Sequence, residues 1–395
     1  TALFSLIYWL CGKNLDLAIF VGHVIPPLIS CWLIYRIALI LTNNKRLAIL
    51  AVLMAVGHFV FSLLAIAAKL LHQPAGGVAG PDLYLLKQVF IHAGMLANVT
   101  APTQFTRLFS PALTLPFLLF PIVFILQQSR PALRGALIAL NLYVYPHHVI
   151  VLGILELVSW VKNRRVPKAV FFIVGALSSL PYAIQLWLVH QAGFYQEIYG
   201  RIGQTSDLSS MWFFVPLFAL SSIYIWVKEK AFTSDLILSL GCFLSAAFIC
   251  GLDSFFNFPQ VHLVGIRIFA FLAPLVFICV LKYFNYPRLK YLNAVLLVLI
   301  LVSYIHAGWV HRDEYSQFPK EGFVTELAKL PAGSVVMTQS QVEIPYISAM
   351  SDKYSYLSYG IASSASNEEL IKRFVLSLEF TDGPQKNYAV EIGMN

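Results

Sequence analysis

Long apolar runs decide what this chain can fold into. They cover residues 1–12, 16–42, 47–70, 108–127, 135–161, 166–191, 211–227, 231–250, 263–282 and 291–309. Most are close to the ~20 residues that a helix needs to cross a bilayer. Only 12% of the residues are charged, against about 25% in an ordinary soluble domain. We therefore expect residues 1–309 to form an all-α polytopic membrane bundle.

The net charge of +8 is unevenly distributed along the chain. Residues 1–309 carry 20 Lys/Arg and 8 Asp/Glu, whereas residues 310–395 carry 7 and 11. The basic residues lie in short loops between apolar runs, where they orient a membrane protein. This distribution argues against a nucleic-acid partner. The five cysteines all lie in apolar segments without metal or disulfide spacing.

Five basic loops predict the orientation of the bundle. They are "NNKR" (43–46), "SRPALR" (129–134), "KNRRVPK" (162–168), "KEK" (228–230) and "KYFNYPRLK" (282–290). If these loops and Arg36 are cytoplasmic, that side holds 14 Lys/Arg and the other side six. We therefore expect a multi-pass membrane protein whose tail from residue 310 is extracytoplasmic, because cytoplasmic loops carry an excess of Lys/Arg.

The run 135–161 breaks the alternation of sides. Both of its flanks are basic and should be cytoplasmic, yet its 27 residues cannot make two full spans. Pro146 is poorly placed in a helix interior and pushes Tyr145 away from the helical region. Backbone broken at membrane depth is tolerated where it is buried in protein or lines a cavity. We expect a hairpin of two short helices, broken near Pro146.

Two adjacent histidines follow this break. Tyr145, His147 and His148 would lie at the outward tip of the hairpin, recessed into the membrane. The imidazoles could bind an anionic phosphate, act as acid or base, or ligate a metal. The alternative is a polar tip that only satisfies the broken helix ends. Glu156, in the second half of the hairpin, could pair with a basic residue near the inner face.

A second polar group occurs in "DSFFNFPQVHLVGIR". Asp253, Gln260 and His262 fall in a short outer loop, and Arg267 lies about one turn into the next span. An arginine suits phosphate because its planar fork makes bidentate hydrogen bonds. The alternative for Arg267 is a side chain that snorkels to the interface.

Further candidates lie in the other outer segments. Gln104 and Arg107 precede "LFSP", where Arg107 is either a second phosphate contact or a helix-end anchor. Arg201 in "YGRIGQTSD" is a candidate of the same kind. No set of metal ligands is predicted. The tail 310–395 is expected to be a small, incomplete α/β segment with a strand in "GSVVMTQ" and a capped helix in "SNEELIKRFVLSL".

The layout of spans, the segment "RLFSPALTLPFLL", the hairpin "YVYPHH" and the turn "PQVHLVGIR" together resemble bacterial membrane glycosyltransferases of the GT-C superfamily. Relatives include the protein mannosyltransferases and the lipid A aminoarabinose transferases. The resemblance covers most of residues 1–310. It implies transfer of a sugar from a polyprenyl-phosphate donor to a glycan, lipid or protein acceptor, on the outer face of the bacterial plasma membrane.

The resemblance also implies roles for the candidate residues. His147, His148, Asp253 and His262 would be catalytic, and Gln104, Arg107, Tyr145, Arg201, Gln260 and Arg267 would bind substrate. The resemblance does not identify a cofactor, and a divalent metal ion is one possibility. In this family an acidic residue of the first outer loop acts as base or helps to bind metal. That loop would lie upstream of Thr1, so we expect a chain that lacks its first span, or a non-catalytic relative.

Two other functions fit the same sequence. A transporter or flippase for a lipid-linked or anionic solute would also use broken helices. Against it, the chain has no internal repeat and its polar residues cluster towards the outer face. A non-enzymatic membrane scaffold with a partner-binding tail is the third interpretation.

Overall fold

A computed structural model describes residues 2–57, 113–163, 168–191, 209–256, 264, 268–284, 289–310, 327, 329–336, 354–355 and 367–378. The chain divides into two compact units. The first comprises Thr1–Ile184 and Thr205–Val310, and the second comprises Gln185–Gln204 and His311–Asn395. Helix is the predominant structure of the described residues.

The helices up to Val310 follow the predicted apolar runs. They are α1 (Ala2–Leu10), α2 (Leu15–Thr42), α3 (Lys45–Val56), α4 (Leu115–Gln127), α5 (Pro131–Val144), α6 (His147–Asn163), α7 (Ala169–His190), α8 (Ser209–Glu229), α9 (Ser234–Phe256), α10 (Ala270–Leu281) and α11 (Leu289–Val310). Polar residues mark the turns between them. Asn44, for example, accepts from the backbone N–H groups of Arg46 and Leu47 and caps α3.

Two described helices are long and apolar enough to cross a membrane. They contain the stretches Phe20–Thr42, of 23 residues, and Ser234–Leu252, of 19 residues. Five further apolar helices are shorter, namely Leu115–Gln127, Pro131–Val144, Ala169–Gln185, Ala270–Leu281 and Leu289–Leu301. The prediction of a helical bundle is confirmed at this coarse level, whereas ten complete spans stay a prediction.

The interior of the first unit is a single apolar cluster to which most of its helices contribute. Stacked aromatic rings mark its contact between α8 and α10. Phe214 and Phe218 lie one turn apart on α8, and Phe269 immediately precedes α10, with ring centroids 5.6–6.0 Å apart. All three side chains are fully buried. In a membrane, where lipid tails are as apolar as these rings, such close van der Waals packing is what holds the helices together.

Direct contacts bring several basic loops to the same end of the first unit. The side-chain amide of Asn293 donates to the backbone carbonyl of Arg46 at 3.1 Å, which joins the start of α11 to the start of α3. The Nζ of Lys282 lies 3.1 Å from Oε1 of Glu229 and also contacts the carboxylate of Asp235. Lys282 therefore ties the end of α10 to the turn between α8 and α9.

The remaining two basic loops join the same end through α6. Leu155 of α6 packs against Gly241 of the antiparallel α9, which brings the last turn of α6, with Lys162, beside the first turn of α9, with Asp235. Gln128, which ends α4, donates to the hydroxyl of Ser159 on α6 at 3.2 Å. We call this face, formed by residues 43–46, 128–134, 156–163, 168, 228–235, 282–284 and 289–293, the basic end. The described parts of the five basic loops therefore lie at the same end of the helices, as the sequence predicts.

The basic end also contains a charge network at the ends of the apolar helices. Tyr283 donates its hydroxyl to Oε1 of Glu229 at 2.5 Å. That hydrogen bond, followed by the one from Lys282, holds the pKa of Glu229 below its ordinary value of 4.5. Burial disfavours the ammonium of Lys282, but hydrogen bonds and charge from Asp235 and then Glu229 outweigh it and raise the pKa of Lys282. Lys282 therefore stays charged at neutral pH.

The second unit is described only in part. Val335–Val336 (β1) and Tyr354–Ser355 (β2) form a short parallel pair. Asn367–Leu378 forms helix α12, at the position predicted from "SNEELIKRFVLSL", and Glu369 pairs with Arg373 one turn later. A complete α/β fold for the tail stays a prediction.

Candidate functional site at the hairpin break

The break at Pro146 is where the sequence predicts it. Helix α5 ends at Val144, Tyr145 is extended with φ −158° and ψ 100°, and α6 begins at His147. Proline has no N–H to continue α5 and excludes the helical conformation from the residue before it. The backbone N–H groups of Tyr145 and His148 are nevertheless satisfied, by the carbonyls of Asn141 and Tyr145. The turn therefore leaves little backbone unpaired.

Side-chain contacts prove that α6 folds back along α5. Arg134 lies 11 residues before Tyr145, and its Nη1 is 3.0 Å from Oε1 of Glu156, which lies 11 residues after Tyr145. Near the break, Nδ1 of His148 is 2.8 Å from Oδ1 of Asn141. Partners equidistant from the turn define an antiparallel hairpin, so the predicted fold-back is confirmed. At 1.5 Å per residue, α5 and α6 are only about 21 and 26 Å long.

Asn141 is the centre of the polar network at the break. Its side-chain amide donates to the carbonyl of Phe117 on α4 at 3.0 Å and to that of Leu137 at 2.8 Å. In a regular helix the Phe117 carbonyl would accept from residue 121, but residue 121 is proline and has no N–H. Asn141 therefore supplies a donor that Pro121 removes from α4. The asparagine itself is fully buried.

This arrangement fixes the hydrogen-bonding state of His148. Because the Asn141 amide nitrogen faces two carbonyls, its Oδ1 must be the atom that faces His148. An amide oxygen only accepts, so Nδ1 of His148 carries a proton and donates. In the neutral ring the lone pair then lies on Nε2. His148 is 1% exposed, so its anchored imidazole is a buried part of the hairpin.

Tyr145 packs between the two histidines. Its ring centroid lies 4.8 Å from that of His147 and 5.0 Å from that of His148. All three side chains are buried, and His147 is the more exposed imidazole at 9%. The three residues that the sequence singled out at this turn therefore form one compact cluster.

Tyr143 performs a similar repair on the other side of α5. Pro181 interrupts α7, and just after it the backbone N–H of Tyr182 donates to the Tyr143 hydroxyl at 3.0 Å. The same hydroxyl donates to the carbonyl of Ser178 at 3.0 Å. It thus stands between the N–H and the carbonyl that would bond directly in a regular helix. Asn141 and Tyr143 connect α5 to α4 and α7 through backbone groups that α5 satisfies.

A buried ion pair closes the other end of the hairpin. Arg134 and Glu156 are 8% and 2% exposed, and Trp160 donates its indole N–H to Glu156 at 2.7 Å. The expected pairing of Glu156 with a basic residue is confirmed, whereas the position of this pair near the inner face stays a prediction. Nearby, Gly135 packs so tightly on α7 that a Cβ would overlap the carbonyl oxygen of Phe171. At the basic end, the ion pair therefore holds α5 against α6, and Gly135 allows α5 to pack closely on α7.

The other candidate residues are less fully placed. Asp253 belongs to α9, and its side chain is outside the described part of the structure. Leu155 of α6 touches Gly241 of α9. His147 lies eight residues before Leu155 on α6, and Ile249 lies eight residues after Gly241 on α9. Because the two helices are antiparallel, His147 and Ile249 lie at about the same level. The Asp253 backbone thus lies about one turn, or about 6 Å, beyond the level of His147.

The remaining candidates lie outside the described residues. They are Gln104, Arg107, Arg201, Gln260, His262 and Arg267. Their convergence with the hairpin stays a prediction. Among the residues that the structure describes, no group of three or more His, Cys, Asp or Glu side chains could hold a metal ion.

Asn141 was not singled out by sequence reasoning, although a signal for it exists. A lone amide in an apolar run needs partners, and Pro121 in the preceding apolar run opens a carbonyl that needs a donor. Comparison with protein-family models, curated proteins and solved structures found no significant match to this chain. The resemblance to GT-C transferases therefore stays a prediction.

Proposed function

We propose that this chain is a multi-pass membrane protein that transfers a sugar from a polyprenyl-phosphate donor to an acceptor on the extracytoplasmic face. The observation that carries the proposal is the polar break of the α5–α6 hairpin, which lies at the end of the hairpin remote from the basic end. If the basic end is cytoplasmic, the histidines approach the opposite face of the bilayer. Ionisable side chains at membrane depth are costly and are kept for a function.

The chemistry assigned to the site needs a proton acceptor and a binding site for phosphate. The acceptor hydroxyl attacks the anomeric carbon, the bond from that carbon to the phosphate oxygen breaks, and the lipid phosphate leaves with the electron pair. We assign the proton of the hydroxyl to His147, the more exposed of the two imidazoles. Arg267 and Arg107 would stabilise the charge on the departing phosphate. Asp253 would orient the acceptor.

The catalytic part is tested by transfer of radiolabelled sugar from a panel of polyprenyl-phosphate hexoses and pentoses. The protein is purified in detergent and incubated with membrane glycans, lipids and proteins as acceptors. His147→Gln and Arg267→Gln should lower kcat at least tenfold, whereas His23→Gln, an exposed histidine on α2, should not. Undiminished transfer by both site variants would remove these residues from the mechanism. Absence of transfer with every donor would refute the enzyme assignment.

The location is tested separately by labelling single cysteines in sealed inverted and right-side-out vesicles, with the native cysteines replaced. Cysteines at Lys45, Arg130 and Lys230, all exposed at the basic end, should react with an impermeant maleimide only in inverted vesicles. A cysteine at Lys13, in the turn between α1 and α2, should react only in right-side-out vesicles. Labelling of all four from the same side would refute the proposed orientation.

A transporter of an anionic or lipid-linked solute is the second candidate. The observation in its favour is that α5 and α6, at about 21 and 26 Å, are shorter than a hydrocarbon core of about 30 Å. Hairpins that end inside the bilayer occur around transported substrates. Proteoliposomes loaded with labelled polyprenyl-phosphate sugar distinguish the two functions. Movement of intact donor between leaflets without cleavage would favour transport, and donor cleavage would favour transfer.

A further inference from the structure

The basic end carries positive charge that its own acids do not neutralise. Three buried or partly buried carboxylates are described there, and each is already engaged by a cation: Glu156 by Arg134, and both Glu229 and Asp235 by Lys282. Seven exposed cations remain, and within the described part of the chain none is within ion-pair distance of a carboxylate. They are Lys45, Arg46, Arg130, Lys168, Lys228, Lys230 and Lys290.

Aromatic rings accompany these cations. The ammonium of Lys228 lies 5.8 Å from the ring centroid of Tyr224, and that of Lys290 lies 4.9 Å from the ring centroid of Tyr291. The guanidinium of Arg130 lies 5.9 Å from the ring centroid of Phe124. Such pairs are typical of the headgroup level of a bilayer, where aromatic rings and long basic side chains meet both lipid tails and water.

Exposed apolar surface continues directly from two of the cation sites. On α8, Trp226 and Val227 are 50% and 60% exposed immediately before Lys228. On α11, Tyr291 and Val295 are 61% and 55% exposed just after Lys290. An acyl chain can lie along each helix while its phosphate reaches the ammonium. A free anion or an acidic protein would use the cations but not the adjoining apolar face.

We propose that the basic end binds the headgroups of anionic phospholipids, with Lys228 in the last turn of α8, Lys230 just after that helix and Lys290 on α11 as principal contacts. This proposal rests on the membrane location proposed above but not on the transferase activity. Each lysine next to the membrane surface raises the affinity for anionic lipid about fivefold, equivalent to about 1 kcal/mol. The attraction decreases with salt because the cations are exposed.

Electron paramagnetic resonance of spin-labelled lipids tests the proposal with the full chain reconstituted in phosphatidylcholine vesicles. Labelled phosphatidylglycerol should show a larger motionally restricted fraction than labelled phosphatidylcholine, with about a fivefold higher association constant at 10 mM salt. The preference should fall at least twofold in Lys228→Gln/Lys230→Gln and in Lys290→Gln. It should persist in Lys13→Gln, the matched control away from the basic end. The exposed positions allow these substitutions without unfolding, which circular dichroism verifies.

The outcomes separate the two proposals. A restricted fraction for phosphatidylcholine without preference for phosphatidylglycerol overturns the lipid site but leaves the membrane location intact. No restricted fraction for either lipid means that the membrane location is wrong, and the lipid site with it. An equal loss of preference in Lys13→Gln would show an effect of net charge alone and overturn the assignment to α8 and α11. Displacement of the labelled lipid by millimolar inorganic phosphate would show that the cations bind a free anion, and would overturn the proposal of a lipid site.

Discussion

Asn141→Ala tests the idea that this amide replaces a donor that Pro121 removes. The substitution removes the partner of the part-buried carbonyl of Phe117 and of the buried Nδ1–H of His148, whereas the carbonyl of Leu137 retains its helical bond. A buried polar group without a partner costs about 1–3 kcal/mol. Interhelical hydrogen bonds in membranes have measured contributions of about 0.6 kcal/mol on average and up to about 1.7 kcal/mol. We expect a loss of about 2 kcal/mol.

A second substitution makes the test specific. Pro121→Ala restores a backbone N–H one turn after Phe117, so α4 can satisfy its own carbonyl. In that background Asn141→Ala should cost about 1 kcal/mol less than in the wild type. The free energy of unfolding is measured reversibly in mixed micelles of lipid and detergent by circular dichroism, as a double-mutant cycle.

Asn293→Ala is the matched control for this cycle. Its amide also donates to a backbone carbonyl, that of Arg46, but at the basic end and on the surface. Its cost should stay below about 1 kcal/mol and should be the same with and without Pro121. If Asn141→Ala costs the same in both backgrounds, the proposed replacement of the missing donor is wrong, even though the hydrogen bond itself exists.

Three further measurements address the packing and charge of the helices. Gly135→Ala should destabilise the chain by about 1–3 kcal/mol because its Cβ meets backbone of α7, whereas Gly153→Ala, which meets nothing within 4 Å, should be neutral or stabilising. Tyr143→Phe should speed hydrogen exchange of the Tyr182 amide selectively, and unchanged exchange would refute the bridge. Glu229 has a depressed pKa, so its contribution to stability is complete above about pH 4.5 and is lost as the pH falls through the lower folded-state value. Glu229→Gln should therefore flatten the fall in unfolding temperature as the pH decreases below about 4.5, and an unchanged slope would contradict this.

The hairpin could be predicted because two independent constraints met in one segment. The basic flanks of 135–161 required both ends of the run on one side, and Pro146 was the place where a helix could turn back. The distribution of Lys and Arg among the loops likewise predicted that the five basic loops share one side. Contacts such as Asn293 to Arg46 join loops that are far apart in the chain. The effect of a proline is local, and the effects of charges on orientation add up along the chain. Both can therefore be predicted from a single sequence.

The partners of the polar side chains could not be predicted in this way. The sequence shows that Pro121 and Pro181 each open a helix, but not which neighbour supplies the missing group. That depends on which helices flank α5, and apolar runs of similar length and composition do not distinguish one neighbour from another. His147 and His148 were therefore singled out for chemistry, while Asn141, which anchors one of them, was not. The approach of His262 and Arg267 to this cluster stays a prediction.

The repairs made by α5 have a consequence for how the chain would enter a membrane. Before α5 docks, α4 has an open carbonyl at Phe117 and α7 has an interrupted ladder beside Pro181. A lipid environment offers no substitute donor for such groups. Helices α5 and α6 are also too short to cross singly. The translocation machinery would thus have to retain α4 until the α5–α6 hairpin and α7 have been synthesised. The four helices α4 to α7 would then enter the membrane together rather than one span at a time.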